Sequence, residues 1–153
     1  MALKLDLACG TAKHPGFIGI DRYLFDGVDI VRDLMRGLPF SDNTVDHILA
    51  QHIVEHFDGE DLLFLVEEMW RVGVPDGVIE VIVPSASSPN RYIDPTHKTR
   101  DWSDDSFKFW YVDEKKQHLI HRGPMYGSAA MLELMLTTVN SNRDRYYNLK
   151  VIK

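Results

Sequence analysis

The sequence has a single cysteine, Cys9, so no disulfide can form within the chain, and a reducing compartment such as the cytoplasm is the expected location. It has no apolar run approaching the ~20 residues of a membrane span. Its first residues, MALKLDLACG, lack the apolar stretch of a signal peptide, so no membrane association is expected. It also has no run of Lys and Arg. The 17 basic residues against 23 acidic ones give a formal net charge of −6, which offers no phosphate footprint and sets aside a general nucleic-acid binder. Internal repeats and low-complexity segments are absent too. What the chain does have is 44% hydrophobic residues in 153 positions, enough for one globular domain over 1–153 with a real core.

The most informative stretch is Leu3 to Asp21, LKLDLACGTAKHPGFIGID. The apolar run Leu3–Leu7 reads as a buried strand. It breaks at Ala8-Cys9-Gly10-Thr11, small residues that let backbone approach a ligand closely. A second run, Phe17-Ile18-Gly19-Ile20, ends on Asp21. Strand, glycine turn, strand and terminal carboxylate are the plan of a nucleotide-type site, with the acid accepting hydrogen bonds from a ribose. Gly10 is alone in its turn, so there is no G-x-G-x-x-G, and a dinucleotide pyrophosphate lacks the close backbone approach it needs. An ordinary strand–loop–strand with a surface aspartate has the same local pattern. Only six residues, Thr11–Gly16, link the two strands. That is too few for a crossover helix, and just enough for an extended return if the strands are parallel.

Further strands are predicted at Val28–Val31, at Val45–Ala50 and at Val78–Val83, with Gln51–Phe57 a short helix or turn. The clearest helix starts after Asp58, with Glu60 and Asp61 in its first turn. Leu62, Leu65, Val66 and Met69 recur at helical spacing, Glu67, Glu68 and Arg71 face outward, Gly73 serves as C-cap, and Pro75 stops any continuation. Beyond Pro84 lies a polar loop, then a short helix after Ser103 carrying Phe107, Trp110 and Tyr111, then a charged exposed stretch, Asp113–Gly123. Met131–Val139 and Tyr146–Ile152 read as a closing antiparallel hairpin, although the first run reads equally as a helix.

Five short strands with acids ending the second and third make the chain resemble the class I S-adenosylmethionine-dependent methyltransferases, and among them the small type 11 group. Leu5-Asp6-Leu7-Ala8-Cys9-Gly10 resembles the family's first motif, with Ala8 where a glycine is usual. Asp21 matches the ribose acid, and Asp33-Leu34 the segment near the adenine. His52-Ile53-Val54-Glu55-His56 matches the segment beside the methionine end, Glu68-Met69-Trp70-Arg71-Val72 through Gly77 the helix and turn before the fifth strand, and Asp94-Pro95-Thr96-His97 a loop over the acceptor. The resemblance covers residues 3–98 well and the remainder poorly. It implies an α/β Rossmann-like methyltransferase fold: a mostly parallel twisted sheet, reduced helical layers and an antiparallel C-terminal hairpin. The usual long helix after the first motif is missing, and with it the free N–H groups at its N-terminus.

The resemblance implies S-adenosyl-L-methionine as cofactor, S-adenosyl-L-homocysteine as product, and methyl transfer to oxygen or nitrogen of a small-molecule acceptor. It assigns cofactor binding to Asp6, Ala8, Cys9, Gly10, Asp21, Arg22, Asp33, Leu34 and Gln51. Because the sulfonium already activates the methyl group, few catalytic side chains are needed; a base serves only an acceptor that keeps its proton. The candidates are His52, His56 and His97. Each also reads as a structural histidine, and Cys9 as a small turn residue rather than a nucleophile. A sheet surface left bare by missing helices suits a second copy of the chain, a homodimer. Two rival readings stand beside this one. A module could bind S-adenosylmethionine or S-adenosylhomocysteine without turnover. A zinc peptidase could use His52-x-x-Glu55-His56 as H-x-x-E-H on one helix, although no third ligand is evident and no metal is assigned.

Overall fold

The computed structural model describes residues 2–99, 101–112 and 124–153. Seven strands form one sheet: β1 (Lys4–Leu7), β2 (Ile18–Asp21), β3 (Ile30–Val31), β4 (Val45–Gln51), β5 (Gly73–Pro84), β6 (Met131–Val139) and β7 (Asp144–Ile152). Their spatial order is β3-β2-β1-β4-β5-β7-β6. β1 pairs parallel with both β2 and β4, β3 with β2, and β5 with β4. β7 runs antiparallel to β5 and β6. The expected mixed sheet is therefore present, and Met131–Val139 is a strand rather than a helix. Strand order reverses between β1 and β4, so the crevice available to a ligand opens there, at the carboxyl ends of the strands.

The only α-helix among the described residues is α1 (Gly59–Val72), and no helix is long and apolar enough to cross a membrane. A parallel sheet normally carries helices on both faces. Among the described residues this one does not, and the strand sequences give the reason. Across the sheet, one row runs Leu5, Ile48, Ile79, Leu149 and the next runs Leu7, Ala50, Val81, Tyr147. All of these are buried, and they pack against Leu65, Val66, Met69 and Val72 of α1. The rows on the opposite face run Lys4, His47, Val78, Lys150 and Asp6, Leu49, Glu80, Asn148. Lys4, His47, Glu80, Asn148 and Lys150 stay partly exposed, the alternation of a sheet with one wetter face, while Asp6 and Leu49 are buried. Ion pairs lace that face: His47 Nε2 lies 3.3 Å from Glu80, and Lys150 pairs with Glu133. The ten-residue link between β1 and β2 crosses on the same side. Its Phe17 ring packs edge-on against His47 at 5.1 Å, and Asp6 accepts from His14 N at 2.8 Å.

On the core face, an aromatic segment stands where a helix after Ser103 was expected. Residues 104–110 form successive turns, and Trp102, Phe107 and Trp110 are buried. Phe107 lies 5.7 Å from Trp102 and 4.7 Å from Tyr147, so large rings supply the covering volume that a helix would otherwise provide. The expectation for Asp113–Gly123 falls on residues outside those described.

Several local expectations are corrected. Asp58 stands at the N-cap of α1 but makes no cap hydrogen bond; Lys98 Nζ draws its carboxylate away at 3.3 Å. Gly73 is extended (φ −62°, ψ 135°) rather than left-handed, and α1 passes into β5 with no intervening residue. Glycine is needed there for space: a Cβ would meet Val151 Cγ2 at 2.9 Å and Met69 O at 3.2 Å. Glu68 and Arg71 do not simply face solvent. Glu68 accepts from Leu38 N at 2.7 Å, and Arg71 donates to Glu68, Phe40 O, Leu38 O and Asp42, tying α1 to residues 38–42. Glu67 accepts from Ala130 N at 2.8 Å and from Ser128 Oγ, holding the approach to β6.

Candidate active site

The chain turns sharply where β1 ends. Ala8 (φ 54°) and Gly10 (φ 53°) both lie in the left-handed region, and no protein atom lies within 4 Å of where a Cβ on Gly10 would sit. Asp21, the last residue of β2 and 7% exposed, closes this turn. Its Oδ2 accepts from Gly10 N at 3.0 Å and its Oδ1 from Tyr23 N at 2.9 Å. An ionised carboxylate has about four acceptor positions, so two remain for a ligand. Asp33 follows β3 in the same way: its Oδ1 caps the turn Leu34–Arg36 through Met35 N at 3.0 Å.

These strand ends surround a cavity of about 530 Å³. Ala8, Asp21, Arg22, Asp33 and Leu34 line it, as the sequence implied, and His56 stands at its far side. The remaining walls were missed. Tyr23, Phe25, Met35, Ile53 and Phe57 supply apolar and aromatic surface, and Thr96, Lys98, Asp61 and Arg32 supply polar groups. Ile53 and Phe57 flank the histidine segment, and their apolar character was the signal that could have found them. Lys98 arrives from a distant loop, tethered where Glu55 O accepts from Lys98 N at 2.9 Å and Thr99 N at 3.0 Å.

Four of the residues assigned to the cofactor do not line the cavity: Asp6, Cys9, Gly10 and Gln51. Asp6 is buried beneath the turn and holds it through His14 N and, at 3.0 Å, His14 Nδ1. The Cys9 thiol faces Gly19, where an added Cβ would meet its Sγ at 2.6 Å. Burial, with Asp6 and Asp21 nearby, pushes that thiol upward, which makes it inert as a nucleophile at neutral pH. The amides of Cys9 and Gly10 are already spent on Ile20 O at 3.2 Å and on Asp21.

A second cavity of about 450 Å³ lies beside the first and shares His56 with it. His52, Glu55, His97, Asp94 and Asp144 also line it, so the structure brings together all three histidines singled out in the sequence. The stretch His52–His56 is not a helix. His52 has φ 52°, and only Val54–His56 form a 3-10 turn, so the two histidines do not share a helical face. Glu55 is 1% exposed at the centre of the group, with His52 Nδ1 3.4 Å and His97 Nε2 3.9 Å from its Oε1. Glu55 raises the His52 imidazole above its ordinary value, so its protonated form persists to higher pH.

Residues 14–81 match the family model described as a methyltransferase domain. No curated protein matches the chain in sequence. Solved structures share its fold. A S-adenosylmethionine-dependent methyltransferase from Aquifex aeolicus is 14% identical, aligned over 99% of this chain and 82% of its own, with a TM-score of 0.62. One from Archaeoglobus fulgidus is 19% identical over 97% of this chain and 86% of its own, TM-score 0.57. A Haloferax volcanii complex of a methyltransferase activator with a methyltransferase is 14% identical over 98% of this chain and 81% of its own, TM-score 0.59.

Proposed function

From a chain that carries the methyltransferase-domain match at residues 14–81 on the methyltransferase fold, we propose an S-adenosylmethionine-dependent methyltransferase that acts on oxygen or nitrogen of a small-molecule acceptor. The observation that carries the reading is Asp21, whose carboxylate ends β2 at the wall of the 530 Å³ cavity with acceptor capacity to spare. The cavity fits the cofactor in three ways. Asp21 suits the two ribose hydroxyls. The turn brings Ala8, with no more than a methyl group, to the wall, and the surfaces of Tyr23, Phe25, Leu34 and Met35 suit a flat base. In one respect it departs from the motif: Cys9 N and Gly10 N are committed, so the amino-acid tail falls to cationic side chains on the wall, Arg22 and Lys98.

When bound, S-adenosylmethionine supplies an electrophilic methyl group on a positive sulfur. The chain's own residues then have limited tasks. Asp21 and Asp33 orient, the apolar wall from Ile53 and Phe57 excludes water, and the second cavity holds the acceptor in line beyond His56. His52, Glu55, His56 and His97 face that second cavity and are what the chain brings to the acceptor's proton. The direct test is calorimetry with S-adenosylhomocysteine. A single site in the micromolar range is expected, and no detectable binding overturns the reading.

A further inference from the structure

We propose that Glu55, His56 and His97 form a binding site for one transition-metal dication of the zinc class, with an open position toward the second cavity. Ligand atoms of these three residues lie within 4.8 Å of one another. Glu55 is the main observation. It is 1% exposed, and neither carboxylate oxygen accepts a hydrogen bond. His52, whose Nδ1 stands 3.4 Å from Oε1, is the nearest cationic side chain, and it leaves Oε2 with no partner, so the buried carboxylate still has capacity for a cation on its other side.

The two histidines are presented as ligands. The Arg91 carbonyl can only accept, so His97 Nδ1, 3.1 Å away, carries the proton. The Thr96 hydroxyl has one proton and gives it to Asp94 Oδ1 at 2.6 Å, so it accepts from His56 Nδ1 at 2.9 Å. Asp94 stays ionised for this, held below the usual carboxylate range by the hydroxyl and amide of Thr96. With each Nδ1 held this way, Nε2 is the nitrogen each imidazole turns toward a ligand. A ligating histidine whose other nitrogen is fixed by a carbonyl or a carboxylate relay is the arrangement that metal sites use.

His97 Nε2 faces Glu55 Oε1 at 3.9 Å. That is too long for a hydrogen bond, and two lone pairs repel at that range. Ligands about 2.1 Å from an ion at the tetrahedral angle lie about 3.4 Å apart, so the widest pair closes by roughly 1.4 Å, within the reach of side-chain rotations. Two nitrogens and one carboxylate favour zinc over magnesium or calcium, and three protein ligands leave a position open. Only the use of the ion rests on the methyl-transfer reading: a hydroxyl or phenol acceptor bound there loses its proton more easily, which identifies oxygen as the accepting atom. The zinc-peptidase pattern drawn from His52 and His56 is not this site; His97 replaces His52.

The test uses full-length protein freed of metal by chelator and then titrated with Zn²⁺ and, separately, Co²⁺. One Zn²⁺ per chain is expected, and Co²⁺ should give the visible bands of a low-coordinate site. Glu55→Gln and His97→Ala should each weaken Zn²⁺ binding on the order of a hundredfold, and Thr96→Val about tenfold by releasing the His56 tautomer. His47→Ala, on the remote solvated face, should leave it unchanged. If buried Glu55→Gln fails to fold, half-exposed His56→Ala reads the same loss. Substoichiometric metal, or equal binding by wild type and the Glu55, His56 and His97 variants, overturns the proposal. Binding of S-adenosylhomocysteine to the metal-free wild type is measured in the same preparations, so failure of the cation site and failure of the methyl-donor reading are separate results.

Discussion

Replacing Asp21 with alanine removes the carboxylate that closes the turn at Gly10 and faces the larger cavity. Two kinds of bond are lost. The internal ones, from Gly10 N at 3.0 Å and Tyr23 N at 2.9 Å, affect stability. Freed amides beside a cavity are rehydrated, so the cost is about 2 kcal/mol, or a melting-temperature drop of roughly 4–8 °C for a domain of this size. The bonds to ribose hydroxyls affect affinity. Hydrogen bonds to a charged acceptor contribute about 1.5–3 kcal/mol each, so losing two at the low end removes about 3 kcal/mol, roughly a hundredfold. Asp21→Asn keeps one acceptor oxygen and should lose about tenfold. Calorimetry with S-adenosylhomocysteine measures affinity, and circular dichroism monitors folding. A folded Asp21→Ala variant that binds within about threefold of wild type refutes the reasoning, because a gap that small is well under 1 kcal/mol.

Other outcomes follow from the frame. Gly73→Ala should destabilise by about 1–3 kcal/mol in urea through crowding against Val151 and Met69 O, although its φ is ordinary; an unchanged midpoint would show that α1 and β7 give way freely. Glu68 is held below its ordinary value, chiefly by Arg71. A group depressed in the folded state adds stability above its unfolded value, near ~4.3, and that stability disappears as pH falls through the folded value. The urea midpoint should therefore fall on acidification below about pH 5, and Glu68→Gln should flatten part of that fall; an identical slope would contradict the assignment. Joint replacement of Glu80 and Asn148 by leucine would join Leu49 to exposed Leu136 in one apolar row. Association by light scattering is expected, and an unchanged mass would mean that the polar rows are not what keeps this face solvated.

The sheet was legible because its information is local. Leu-Lys-Leu-Asp-Leu alternates, the acids end β2 and β3, and the glycine turn lies between. The reduced helical layer was legible too, from the short link between the first two strands, which leaves no room for a crossover helix. The cavity was legible only in part. Asp21, Asp33 and Leu34 sit at or just beyond strand ends, whereas Lys98 arrives through its backbone bond to Glu55 O and Thr96 through its hydroxyl's bond with His56, contacts that no spacing encodes. The histidine segment misled for a related reason. His52 and His56 are four apart, yet His52 adopts a positive φ and the helix never forms; the partner of Glu55 and His56 comes from position 97. The region after Ser103 was read for helical periodicity, and its rings in fact fill volume without it.

The splice at Gly73 has a structural consequence. α1 descends from the ligand edge and β5 climbs back to it, with no loop at the bottom to take up slack. Asp61 near the top of α1 borders one cavity, and Pro84 at the top of β5 borders the other. The bend is closely packed, with no room for a Cβ at Gly73 beside Val151 Cγ2 and Met69 O. The Gly73 splice thus puts one wall residue of each cavity on a single uninterrupted helix–strand unit.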